Sequence, residues 1–437
     1  MLSLTRSRGT LAENYSGRDN GIGLLRLLLA IGVVLSHAKP LGFAQKDLGY
    51  YLFSKQTNVG TLSVYGFFVL SGLLITRSAR RTSIGRYAWH RVLRIMPALW
   101  VCLLVTALVV GPLVALREHG DLDGYWKGPA GPVQYLTANW WTGIRQYGIH
   151  DLLVETTPWG RAGNGSVFDG ALWSLAYEMS CYIMIGILAF TAVLNRARRF
   201  VLVLALGLYA VILRDYWTLK STTAGPLSAH YDNVGLPLIG GLDLRWVVYL
   251  GFLFLVGAGV ELYRERIPIH DGLGLAAAAV FLLTLKFGGF FLIGFPAYAY
   301  LLIWLAIRLP RRVHWVGRKN DYSYGIYIYG FLGQQIFASL GWSRWGYLPF
   351  VAMSLAAAFA AAYASWHLVE KHALSLKGWS PRRRSRRPHP NPAGDEAGSD
   401  AQDSAVPAGE SAQTPTPPAP AGPPAPEAST LPAGSKA

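Results

Sequence analysis

Residues 26–37 read RLLLAIGVVLSH, an apolar run with a guanidinium near one end and an imidazole at the other. As one helix, the eleven steps from Arg26 to His37 make three turns plus about 20°. Both side chains therefore lie on one face, roughly 16 Å apart along the axis. That is about half the hydrocarbon thickness of a bilayer. Ionisable groups are costly there, roughly 2.5–3.5 kcal/mol for a central Arg on the insertion scale. Two readings stand. Either Arg26 snorkels to headgroups and His37 sits at the opposite interface, or the face keeps a cation and a proton acceptor for chemistry across the barrier.

The rest of the chain decides that this run is a membrane span. Of 437 residues, 52% are hydrophobic and only 15% charged, with a mean hydropathy of +0.29. A soluble domain does not carry repeated apolar runs of this length separated by short basic stretches. Ten spans are expected, at about 21–37, 60–76, 94–116, 170–193, 199–214, 245–262, 271–287, 289–308, 322–340 and 346–367. The fold class is all-α, a polytopic bundle of about ten transmembrane helices. The first twenty residues are polar and no small-residue cleavage site follows the first run, so no removable signal peptide is expected. Cys102 and Cys181 lie inside apolar runs, and neither a disulfide framework nor a zinc pattern is present.

Alternate connections hold the bases. Arg77, Arg80, Arg81, Arg86 and Arg91 follow the second span; Arg196, Arg198 and Arg199 the fourth; Arg264 and Arg266 the sixth; Arg308, Arg311, Arg312, Arg318 and Lys319 the eighth; SPRRRSRR, residues 380–387, the tenth. With ten spans all of them fall on one side, cytoplasmic by the positive-inside rule, together with both termini. In a bacterium the membrane is the inner one. This topology accounts for the net charge of +16, so the charge is not a nucleic-acid footprint. The basic run beside the last span suits anionic lipid instead. The expected organisation is a cytoplasmic segment 1–20, a membrane domain 21–375, and a tail 376–437 that turns Pro- and Ala-rich and is disordered.

On the outer side the connections at about 117–169 and 215–244 are long. Trp126, Trp140, Trp141 and Trp159 in the first offer flat faces to sugar rings, or form an interfacial aromatic belt. The polar constellation lies elsewhere. RYAWHRVLRIMPALW, residues 86–100, sets Arg91 and Arg94 three apart on one helix face, near the expected cytoplasmic surface. Guanidinium forks suit a polyphosphorylated donor. FDGALWSLAYEMSCY, residues 168–182, repeats Ser174, Glu178 and Tyr182 at four-residue spacing, a polar stripe in an apolar helix. A carboxylate at the depth of Glu178 either neutralises a buried Arg or orients a catalytic imidazole. In FFVLSGLLI, Ser71 and Gly72 read as small-residue helix packing.

Taken in order, these motifs resemble the acyltransferase-3 family of integral membrane acyltransferases. The resemblance rests on the Arg26–x10–His37 spacing, FFVLSG at 67–72, the RxxR of Arg91 and Arg94 followed by IMP, LWSLAYE at 172–178, SYGIYIYGF at 323–331 and LVEKHAL at 368–374. It covers about residues 18–375. It implies an enzyme that takes an acyl group from cytoplasmic acyl-CoA, most often acetyl-CoA, and delivers it to a hydroxyl of a surface or exported glycan or a lipid-linked sugar, with no metal. Arg26, Arg91 and Arg94 would hold the donor. His37 would be catalytic. The residues themselves add Glu178 to orient it, and Trp173, Ser174 and Tyr182 as expected substrate contacts. Gly23 and Gly330 stand where many members carry an acidic residue and a His, so any acid–base role at those positions is absent here. No appended hydrolase-like domain is expected, leaving all chemistry to the membrane domain. The rival class is a secondary transporter exporting an anionic acyl compound, with the same arginines as substrate clamps; no inverted repeat between the halves supports it.

Overall fold

The computed structural model describes residues 9–378 apart from 16, 18, 227, 229–231 and 237–239. The basic run at 380–387 and nearly all of the expected disordered tail lie outside the described residues.

Ten helices build the bundle: α1, Ile22–Phe43; α2, Val59–Arg81; α3, Ile84–Val105; α4, Ser174–Phe190; α5, Arg199–Leu219; α6, Leu244–Leu262; α7, Asp271–Phe287; α8, Phe295–Arg308; α9, Ser323–Ser339; α10, Tyr347–Ser365. Eight of them, some with their continuations, are long and apolar enough to cross a membrane. The other two, α7 and α9, have 17 residues each and fall where the seventh and ninth spans are expected. Beyond helices there are only two short antiparallel ladders among the described residues, Gly9–Thr10 with Pro268–Ile269 and Asn233–Leu236 with Gly240–Asp243.

Local chemistry sets the boundaries. The Asn58 side chain accepts from the Thr61 amide at 2.8 Å and starts α2. The first helix runs past His37 to Phe43 with Pro40 in its last turns, and Ala44 closes it in the left-handed region at φ 51. The third helix departs most from expectation. It begins at Ile84 and passes through a π-helical turn, Thr106–Val110, into Gly111–His119, making 36 residues where 23 were expected from hydropathy. Its first three turns are too basic to register as an apolar run, yet they are helix. Arg86, His90, Arg91 and Arg94 consequently ride on a rigid element.

Close packing fixes the centre. A Cβ at Gly72 would meet the Phe254 carbonyl oxygen at 2.0 Å, and one at Gly257 would meet the Val69 carbonyl oxygen at 2.1 Å. Each helix of the α2–α6 pair thus accepts the other's backbone into a glycine notch. The reading of Gly72 as a packing residue holds. Gly23 is tied similarly: its Cβ would strike the Val316 carbonyl oxygen, in the connection before α9, at 2.0 Å. Leu113, Phe190, Leu206, Leu282 and Leu348 point out of the bundle, and only 22% of the apolar window of α5 is buried. Such a surface is stable facing hydrocarbon.

Candidate functional site

The start of α1, the late turns of α2, the start of α3, the connection before α9 and the continuation of α10 converge on one cavity of about 700 Å³. The antiparallel alternation expected from the basic clusters is therefore present at this end. Arg26, Arg91, Arg94, Arg318, Lys319 and Lys371 border the cavity, and so do Ser71 and Tyr182.

The three candidate arginines are brought together, but they are not equivalent. Arg26 reaches Asp321 Oδ2 at 2.9 Å, and Arg94 reaches the same oxygen at 2.7 Å and Glu370 Oε2 at 3.5 Å. Arg91 has no acidic partner within 4 Å among the described residues. Its guanidinium lies 5.6 Å from the Tyr182 ring centroid and 5.8 Å from that of Tyr87, and its buried Nε has no hydrogen-bond partner. An unpaired buried guanidinium edge is what a phosphate oxygen would satisfy.

Asp321 was not among the residues singled out from sequence. Burial pushes its pKa up, but the Arg26 and Arg94 charges and the hydrogen bonds from Ser323 more than reverse this and bring it to about 2. It is the only acid between Arg308 and α9, in a connection that holds Arg311, Arg312, Arg318 and Lys319. A lone carboxylate in a basic connection was the available signal.

A smaller cavity of about 50 Å³ continues inward, bordered by Arg26, Arg94, Ser174, Glu178, Tyr182, Tyr324 and Tyr327. Glu178 accepts from Ser71 Oγ at 3.3 Å and from the Tyr182 hydroxyl one turn on. The Ser174 and Tyr327 hydroxyls are 2.6 Å apart, and Tyr327 donates to the Ala171 carbonyl at 2.5 Å. The polar stripe of α4 thus faces the Arg-rich cavity. Trp173 does not follow it. That ring stands 4.9 Å from Trp246 in a separate cavity of about 280 Å³ with Tyr147, Tyr177 and Asp243.

His37 lies at the other end of its helix face. Its ring meets Phe331 edge-on at 5.4 Å. Phe331 is one turn along α9 from Tyr327, so the inner cavity ends roughly 6 Å short of it along the axis. The carboxylate beside His37 is that of Asp47, whose Oδ1 is 3.4 Å from His37 Nδ1 and accepts from Ser36 Oγ at 3.1 Å. The expected pairing of Glu178 with His37 is corrected here. Glu178 sits in the second turn of α4 against Ser71 of α2, whereas the loop after α1 brings Asp47 beside His37 Nδ1. Asp47 is the only acid between α1 and α2, a second lone carboxylate that the sequence reading passed over.

Among the described residues no group of three or more His, Cys, Asp or Glu is arranged to hold a metal ion. What the arrangement offers is a basic cavity at one end, hydroxyls and a carboxylate lining its inward extension, and an imidazole–carboxylate pair at the far end.

Residues 19–367 match the family model described as an acyltransferase domain. The chain is similar to nodulation protein 10 of Rhizobium leguminosarum bv. viciae, with 28% identity over 390 residues, covering 84% of this chain and 97% of that protein. It is also similar to an O-acetyl transferase of Shigella phage Sf6, with 25% identity over 373 residues, covering 82% of this chain and 97% of that one. No solved structure matches it.

Proposed function

The chain belongs to the acyltransferase-3 family and is a membrane enzyme that transfers acyl groups, and from that premise we propose that it moves an acyl group, acetyl by preference, from cytoplasmic acyl-CoA to a hydroxyl of a cell-surface or exported glycan. A relative named as an O-acetyl transferase supports both the acetyl group and the oxygen acceptor. The single observation that carries the reading is the division of one helix face: Arg26 borders the basic cavity, while His37, three turns on, has a carboxylate of its own.

In this reading Arg91, free of acidic partners, takes the donor's phosphates first, with Arg26 and Arg94 behind it. The thioester passes inward along Ser174, Glu178 and Tyr182. In direct transfer His37 removes the acceptor hydroxyl's proton as that oxygen attacks the thioester carbonyl. The carbon–sulfur bond then breaks, and CoA leaves as a thiolate that takes up a proton. In a relay the imidazole accepts the acyl group first and hands it to the hydroxyl. Asp47 holds the ring in either case, as a carboxylate does for imidazole in acyl-transfer sites. The Arg-rich end is cytoplasmic and the His37 end faces outward across the inner membrane.

The test is CoA release by proteoliposomes supplied with acetyl-CoA and acceptor glycan. His37→Ala and His37→Gln are expected to abolish transfer while keeping expression and acyl-CoA binding. Wild-type transfer by His37→Gln would overturn the catalytic assignment. Passage of an intact acyl compound without CoA release would favour the exporter.

A further inference from the structure

Next to Asp47, away from the Arg-rich end, a cleft of about 980 Å³ opens between the loop after α1 and the long connection that follows α3. It is larger than the basic cavity and belongs to none of the site expected from sequence, yet it shares Asp47 with the His37 pair. Lys39 and Lys46 line it, with Tyr50, Tyr51, Trp159 and Asn164. Neither ammonium has an acidic partner within 4 Å among the described residues. Lys46 is 6.0 Å from the Tyr50 ring centroid and Lys39 is 5.9 Å from that of Tyr347, so both are held over aromatic faces rather than neutralised. The one acid in the lining, Asp47, is already engaged by Ser36 and His37. Two ammoniums thus stand against a carboxylate turned to other use.

The volume suits one or two sugar units. The chemistry is mixed: two compact cations for an anion, flat rings for the apolar face of a pyranose, and the Asn164 amide for hydroxyls. A neutral glycan gives the lysines nothing to do. At the rim Tyr51 is 70% exposed and Leu52 69% exposed, a pair of large apolar side chains consistent with the headgroup layer of a membrane.

We propose that this cleft binds the acyl acceptor, and that the acceptor is a phosphate-bearing sugar, its phosphate on Lys39 and Lys46 and its ring against Tyr50 and Trp159, so that a ring hydroxyl is delivered past Asp47 to His37. The inference rests on the acyltransferase reading and names the acceptor class that the reading leaves open. Phosphate in this layer has two sources, a glycosyl phosphate or a phospholipid headgroup, and the test separates them.

The purified chain is placed in nanodiscs of zwitterionic lipid, and binding of glucose 1-phosphate, methyl glucoside and inorganic phosphate is measured by saturation-transfer NMR. Glucose 1-phosphate is expected to bind at least about tenfold more tightly than either fragment alone. Lys39→Gln/Lys46→Gln should remove the advantage over methyl glucoside, and Trp159→Ala should remove the advantage over inorganic phosphate. Equal binding of the charged and neutral sugars, or a preference that survives the double lysine variant, overturns the proposal. So does glucose 1-phosphate binding no better than inorganic phosphate while phosphatidylglycerol in the disc displaces it, which identifies a lipid-headgroup site. Acyl-CoA binding and CoA release are followed in the same preparation. His37-dependent transfer without a phosphate preference would sink this inference alone. Phosphate-sugar binding with an active His37→Gln would sink the catalytic reading alone.

Discussion

Arg94 and Asp321 join α3 to the start of α9 through a 2.7 Å contact, and the same carboxylate oxygen meets Arg26 of α1 at 2.9 Å. Three elements far apart in sequence are thereby pinned at one atom. Asp321→Asn leaves two largely buried guanidiniums facing a neutral amide. The expected loss is about 3 kcal/mol, the lower end for a broken buried pair because Arg26 keeps 25% of its side chain exposed. A denaturation midpoint in detergent equal to wild type would refute it.

The same pair predicts a pH dependence. The Asp321 pKa lies below its usual 3.8, at about 2, so its contribution is complete above about pH 4 and lost as pH falls through about 2. The stability gap between wild type and Asp321→Asn should be constant from pH 8 to 5 and shrink towards pH 3. A gap that already narrows between pH 7 and 5 would assign the effect to another group.

Arg91 and Arg94 should separate under mutation, although sequence presents them as equivalent. Arg91→Ala removes an unpaired cation, so acyl-CoA affinity is expected to fall about tenfold or more with stability unchanged. Arg94→Lys keeps a charge but loses the fork that spans Asp321 and Glu370, and should lower both affinity and stability. Calorimetric CoA titration beside thermal melts checks the split; identical profiles for the two variants would contradict it.

Asp47→Asn is expected to lower kcat on the order of 100-fold with KM for acyl-CoA unchanged, because the imidazole loses its orienting carboxylate while the basic cavity is untouched. Asp47→Glu should recover part of the rate. Glu178→Gln should act on the donor side and change KM more than Asp47→Asn does.

Gly72→Ala drives a methyl into the Phe254 carbonyl. The helix pair must separate, and a loss of about 1–3 kcal/mol is expected. Gly85→Ala, with open space around its Cβ site, is the matched control and should be neutral or slightly stabilising.

For topology, single cysteines replacing the exposed Asp123 and Arg312 should label from opposite sides of sealed vesicles, with position 312 protected in right-side-out preparations. Labelling of both from one side would remove the donor assignment of the Arg-rich cavity.

Much of this was legible in the sequence, for reasons the residues make plain. Apolar runs fix where helices lie, and the three-turn spacing of Arg26 and His37 fixes what each helix face carries. The arginine cluster followed because Arg91 and Arg94 share a helix face beside a basic connection. Partners were not legible. Helical periodicity gives the depth of Glu178 but not the neighbour it faces, and it faces Ser71 rather than His37. Asp47 and Asp321 act from connections whose course no periodicity encodes. The basic start of α3 was missed as helix because a hydropathy scan registers burial in lipid, not backbone geometry.

The short ladder between Gly9–Thr10 and Pro268–Ile269 bears on how the enzyme is made. Tyr15, just beyond that strand, packs on Arg77 at 4.6 Å and on Arg264 at 5.8 Å and borders the basic cavity. Its segment is synthesised before α6 but finds its strand partner about 260 residues further along the chain. Until α6 and the turn after it have been inserted, the cavity lacks this wall. Synthesis therefore passes through an intermediate in which the arginines of α1 and α3 are already in the membrane while the N-terminal strap waits, undocked, at its surface.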